Sequence, residues 1–170
     1  METTVELKLG QTLRDATSGF TGIAIQKMEN LAGNTQYALQ PQTKTGDNYP
    51  EAMFLDHHML DYVDDGVSAR VTEVTEEEKF KLGERVKDKV SGFEGIAVAK
   101  ATYLNGCVSY VVIPKVKDAT LFNEAPKENY LSSVRLERVD EGVNKTVTPP
   151  PPAASGKTPG GPAQRVTHRG

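Results

Sequence analysis

Hydrophobic and polar positions in this chain fall into short runs, most legible in its second half. Arg85-Val86-Lys87-Asp88 alternates polar and apolar, the period of a half-buried strand. Ser91-Gly92-Phe93-Glu94-Gly95 sets two glycines around one aromatic, which predicts a tight turn with Phe93 plugging a core. From Ile96 to Leu104 small and β-branched residues dominate, with Ile96, Val98 and Tyr103 on alternating positions apart from one slip. Asn105-Gly106 is a strong short hairpin signal, with both residues expected at positive φ. Cys107 to Ile113 reads as the returning strand, and Pro114 ends it. After a polar loop come Asn129-Tyr130-Leu131, a Ser-Ser turn, and a last strand from Val134 to Val139.

The same runs occur earlier in the chain. Lys8 to Pro41 lies over Lys81 to Pro114 at a constant offset of 73, with 15 identical pairs in 34 positions. Beyond the shared proline the offset becomes 76, so that Phe54 to Val63 lies over Tyr130 to Val139. Both copies then reach an acidic pair and glycine, Asp64-Asp65-Gly66 and Asp140-Glu141-Gly142. The first copy has Ala32-Gly33-Asn34 where the second has Asn105-Gly106, which predicts a hairpin one residue different. Its His57-His58-Met59-Leu60 reads equally well as a helical turn.

Five short strands in about 60 residues, with no long helical period, predict an all-β fold of small barrels, because closure removes exposed edges. The expected organisation is a first barrel over 1–68, a linker over 69–79, a second barrel over 80–143 and an extended arm over 144–170. Within the linker, Thr75-Glu76-Glu77-Glu78 has the form of a capping box, but an acidic solvated linker is preferred. Gly19, Phe20, Gly22 and Tyr37 should organise the first barrel, and Gly92, Phe93, Gly95 and Tyr110 the second.

Leu82-Gly83-Glu84-Arg85-Val86-Lys87 followed by Gly92-Phe93-Glu94-Gly95-Ile96-Ala97 resembles the KOW/SH3-like barrel family. That family opens with a Gly-acidic-x-Val strand, a glycine-rich turn and a hydrophobic strand. The longer motif, from Lys81-Leu82-Gly83 through Tyr103-Leu104-Asn105-Gly106-Cys107-Val108, also looks like small proteins encoded among the virion genes of tailed bacteriophages. The resemblance implies tandem SH3-like barrels that serve as a structural part of a virus particle.

Charge and composition sharpen the outline. The chain carries a net charge of −3, yet Lys145 to Gly170 has four basic residues and no acidic one, leaving −7 for the rest. This tail holds Pro149, Pro150, Pro151, Pro152, Lys157, Arg165 and Arg169, and no Leu, Ile or aromatic residue. It cannot bury enough apolar surface to order itself, and it suits a polyproline II arm that docks on an acidic partner. Those seven residues are the candidate partner-binding set. The acidic N-terminus lacks the apolar stretch of a secretory signal, and no apolar run reaches the length of a membrane span. One cysteine makes neither an internal disulfide nor a thiolate metal cluster.

Candidate chemistry is sparse. Asp56, His57, His58 and Asp61 cluster, and on a helix His57 and Asp61 would share a face. The second copy has Ser133, Val134 and Glu137 at the His57, His58 and Asp61 positions, so a polar surface turn is preferred over a metal site. Cys107 has no base positioned beside it and reads as a half-buried structural residue. Gly92 and Gly95 lack the Lys-Ser/Thr of a phosphate loop. Lys81, Arg85, Lys87, Lys89 and Lys100, near Phe93 and Tyr103, form a basic patch that a KOW-like module would turn to nucleic acid. Glu84, Asp88 and Glu94 interleave with it, so a balanced solvated face is favoured.

The resulting expectation is a non-enzymatic structural virion protein without cofactor or metal, decorating or cementing a capsid. Its partners would be the major capsid protein, other virion proteins or neighbouring copies of itself, with no membrane role. A head–tail or tail/baseplate accessory and a KOW-like nucleic-acid module are the alternatives.

Overall fold

The computed structural model describes residues 6–71, 79–117 and 124–144. They form an all-β structure of ten antiparallel strands. The first five are β1 (Thr12–Asp15), β2 (Thr21–Asn30), β3 (Thr35–Gln40), β4 (Met53–Asp56) and β5 (Leu60–Asp64). The second five are β6 (Arg85–Asp88), β7 (Glu94–Tyr103), β8 (Val108–Ile113), β9 (Asn129–Ser132) and β10 (Leu136–Asp140). Strands β1 to β3 coincide with β6 to β8 at the offset of 73, and β4 and β5 coincide with β9 and β10 at 76. A 3-10 turn separates the last two strands in each half, His57–Met59 in one and Ser133–Arg135 in the other.

Strand order within the halves is β5-β1-β2-β3-β4 and β10-β6-β7-β8-β9. Each half has its own hydrophobic cluster at equivalent positions. Leu7, Leu13, Ala24, Tyr37, Leu39 and Leu60 form the first; Phe80, Val86, Ala97, Tyr110, Val112 and Leu136 belong to the second. Phe20 and Phe93 pack against these clusters from their turns while remaining partly exposed. The tyrosines fix the start of each unit. The Tyr37 hydroxyl donates to the Leu7 carbonyl at 2.8 Å, and Tyr110 donates to the Phe80 carbonyl at 3.3 Å. Phe80 also meets the Tyr110 ring edge-on at 5.4 Å.

Several local expectations need correction. The buried residues of β7 are Gly95, Ala97, Ala99 and Ala101, while Ile96 and Val98 are only half-buried. A register shift between Ala97 and Ala99 turns the strand over, so Ala97 joins the second core and Ala99 and Ala101 join a separate cluster. The equivalent shift lies between Ala24 and Gln26 in β2. In the hairpins only the glycines, Gly33 and Gly106, take positive φ (+93° and +83°), and Asn105 does not. Gly33 N–H donates to Asn30 and Gly106 N–H to Tyr103, the same turn in both halves, so the first hairpin is not one residue different. Ala32 takes the same turn position without the side-chain bond that Asn105 accepts from the Cys107 N–H at 3.0 Å. Val134 and Arg135 belong to the 3-10 turn, and the last strand starts at Leu136.

Candidate functional site

The two halves meet strand to strand. The C-terminal part of β2 pairs antiparallel with that of β7, from Gln26 opposite Tyr103 to Asn30 opposite Ala99. Met28 faces Ala101, its own equivalent at the offset of 73. Two flanking backbone bonds are also equivalent to each other: Leu31 N–H to the Val98 carbonyl at 2.8 Å, and Leu104 N–H to the Ile25 carbonyl at 2.9 Å. The junction is thus an isologous contact, two copies of one patch related by a pseudo-two-fold axis through Met28 and Ala101. Met28, Ala99, Ala101 and Val111 close it as a third hydrophobic cluster. A continuous run of six strands results, β4-β3-β2-β7-β8-β9.

A cleft runs past the hairpin at Gly33, one part lined by first-half residues alone and the other by residues of both halves. Two adjoining depressions, of about 190 and 340 Å³, share Gly33 and Thr35. Glu6, Lys27 and His57 line one, and Lys81, Lys100 and Phe80 line the other. Lys27 and Lys100 are equivalents in the repeat. Glu29 also lines the cleft and pairs with Lys27 at 3.3 Å.

Buried polar side chains are consumed by local structure. Asp15 and Asp88 each accept two backbone N–H bonds and a serine hydroxyl from the glycine turn that follows. Only Asp88 also takes an arginine, Nε of Arg135 at 3.0 Å and a terminal nitrogen at 2.6 Å. That bidentate bond, with the Ser91 hydroxyl, holds its carboxyl well below the usual carboxylate range. The first half has Met59 at the position of Arg135. Burial pushes the Glu84 carboxyl up, but the Arg138 guanidinium at 2.8 Å and the Lys81 N–H outweigh it and hold Glu84 below its ordinary value. Gln11 stands in for Glu84 in the first half and accepts the equivalent N–H from Lys8.

The residues singled out from sequence disperse. His57 and His58 lie in the 3-10 turn with their rings edge-on at 5.6 Å, and Asp56 accepts from Gln36 at 3.0 Å. Among the described residues no group of three or more His, Cys, Asp or Glu is placed to hold a metal ion. Cys107 is exposed, not half-buried, because it follows Gly106 on the outside of the hairpin. The basic patch is split. Arg85 faces Asp140 at 3.5 Å and Lys87 faces Glu94 at 3.8 Å, while Lys81 and Lys100 turn into the cleft. Pro149, Pro150, Pro151, Pro152, Lys157, Arg165 and Arg169 lie outside the described residues, as does Thr75 to Glu78 of the linker.

Sequence reading missed the Lys27/Lys100 pair and the partner of Asp88. The first had a signal, since lysine is kept at both repeat positions, Lys27 and Lys100. The second had none.

In comparisons with known proteins, the chain matches no family model, no curated protein and no solved structure.

Proposed function

We propose that this is a non-enzymatic structural protein that works by gripping other proteins, built of two tandem SH3-like, KOW-like barrels and a C-terminal arm. The observation that carries the reading is the isologous junction between two equivalent units. It presents every outward feature of the unit twice in fixed relation, and paired sites on one body gain avidity through effective concentration. Support for the barrel type comes from the strand order β5-β1-β2-β3-β4 with a 3-10 turn between the last two strands, repeated in the second half.

The setting we propose, from the family resemblance, is the virion of a tailed bacteriophage. Capsid decoration or cementing is the first reading, with the major capsid protein or neighbouring copies as partners. A head–tail or tail/baseplate accessory is the alternative within that setting. The arm, through Pro149 to Pro152, Lys157, Arg165 and Arg169, extends the grip to an acidic neighbour. Quantitative mass spectrometry of purified particles tests this. Hundreds of copies per particle support decoration, about six or twelve support the neck or baseplate, and absence from particles overturns the proposal.

A nucleic-acid module is the second reading, favoured by Lys27, Lys81 and Lys100 along the cleft. Phosphate contacts would make binding fall steeply with salt. An intact protein with no affinity for RNA or DNA at low salt removes that reading.

A further inference from the structure

The free strand edges of the molecule are not equally protected. Among the described residues β4, β5, β9 and β10 each pair on one side only. Strands at sheet edges are kept from pairing with other chains by charged residues. Three of the four follow that rule: β4 carries Asp56, β5 carries Asp61 and Asp64, and β10 carries Glu137, Arg138 and Asp140. Strand β9, Asn129-Tyr130-Leu131-Ser132, carries no charge. Tyr130 on it is 54% exposed, and Val134 just after it is 64% exposed.

We propose that β9 pairs antiparallel with β9 of a second copy of this chain, giving a closed two-fold dimer. Three observations favour a second copy as the occupant. Strand β9 ends the six-stranded run that already contains the β2–β7 junction, so the contact extends an existing sheet. Within one chain, equivalent strands of this unit already join antiparallel about a two-fold axis, and the β9 contact repeats that geometry between chains. Self-pairing of β9 opposes no like charges, whereas β5 self-pairing would bring Asp61 and Asp64 against themselves.

A two-fold axis perpendicular to the sheet keeps each face to itself, so with Tyr130 opposite Tyr130 of the other copy, Asn129 falls opposite Leu131 and Glu128 opposite Ser132. The contact is short, so it belongs with weak interfaces and fills at high local concentration, as on a particle surface. The proposal rests on the reading that the chain acts by protein–protein contact and names one such partner.

Sedimentation velocity of the full chain over a concentration series tests it. The expected result is a concentration-dependent monomer–dimer equilibrium. Tyr130→Lys weakens it at least about tenfold. Phe54→Lys on β4 leaves it unchanged. Circular dichroism verifies that each variant folds, and amide exchange at 129–132 slows as the wild type is concentrated. A chain monomeric at every concentration, a dimer indifferent to Tyr130→Lys, or one broken by Phe54→Lys overturns the proposal. A monomer that still binds particles overturns the dimer alone. A dimer that binds no particle leaves the dimer standing and overturns the functional reading.

Discussion

Met28 and Ala101 occupy the same position in the two halves of the chain and lie directly opposite each other where the halves join. Met28 is 7% exposed and Ala101 fully buried, so the axis is filled by one large and one small side chain. Two methionines would overfill a space that one methionine and one alanine fill. Divergence at this pair therefore suits a contact that is fixed inside one chain and no longer needs to be symmetric.

That asymmetry predicts a compensating swap. Met28→Ala should cost about 2–5 kcal/mol by opening a cavity. Ala101→Met should cost about 1–3 kcal/mol by overpacking. The double variant, with the methionine moved across the axis, should lie at least about 1 kcal/mol closer to wild type than the sum of the two. Chemical denaturation of the four proteins measures the coupling. Strict additivity would mean that the two side chains do not share one space.

Gly92 in the turn before β7 and Gly95 at the start of that strand should fail for different reasons. Gly92 sits at φ +78° with nothing within 4 Å of an added Cβ, so Gly92→Ala meets only backbone strain, about 1–2 kcal/mol. At Gly95 a Cβ would lie 2.5 Å from the Ile113 carbonyl oxygen and 2.8 Å from a Val112 methyl. Gly95→Ala must push β8 away from β7 and should cost about 3 kcal/mol. Thermal unfolding of the two variants should rank Gly95→Ala as the less stable.

Acid sensitivity should depend on Arg135. The Asp88 carboxyl is held below its ordinary value of 3.8 by the Arg135 hydrogen bonds and the Ser91 hydroxyl. A depressed carboxylate contributes stability that is fully present at neutral pH and is lost as pH falls through about 4 and below. Arg135→Met places in the second half the residue that the first half carries at Met59. The melting temperature of that variant should be lower at pH 7 and fall less steeply between about pH 5 and 2. Some acid dependence should persist, since Asp15 and Asp64 are also held low by their hydrogen bonds. Identical slopes for the two proteins would show that the pair does not set the acid response.

The anchoring tyrosine of the first half should carry measurable weight. Tyr37→Phe removes a 2.8 Å bond to the Leu7 carbonyl and should cost about 1–2 kcal/mol in chemical denaturation. Burial pushes the Tyr37 hydroxyl up to about 12, so in a spectrophotometric titration the signal that ionises only in strong alkali should shrink in Tyr37→Phe.

The sequence made the repeat and the existence of the strands legible because each depends on residues near one another in the chain, while strand ends moved by one or two residues, as at Val134, expected in the last strand that begins at Leu136. The offset of 73 carried β1 to β3 onto β6 to β8, and the shift to 76 placed β4 and β5 on β9 and β10. Alternation misled at β7, where a bulge at Val98 sends Ala97 and Ala99 to different clusters and small residues fill the inside. The β2–β7 junction was not legible at all. A repeat shows that two strands are equivalent, and it says nothing about whether they touch. Arg135 was likewise read as part of a strand, which would have pointed it away from Asp88, 47 residues earlier. The arm is an opposite case: its composition is plain in the sequence, and its residues lie outside those described.

The central functional claim is that the two repeated β-units and the C-terminal segment together grip a particle. Co-sedimentation of the full chain and of a 1–144 truncation with particles lacking this protein tests it most directly. The account predicts saturable binding of the full chain and clearly weaker binding of the truncation, both proteins showing the same β-sheet circular dichroism. Equal occupancy of the two would contradict the role of the arm, and failure of both to bind would contradict the account as a whole.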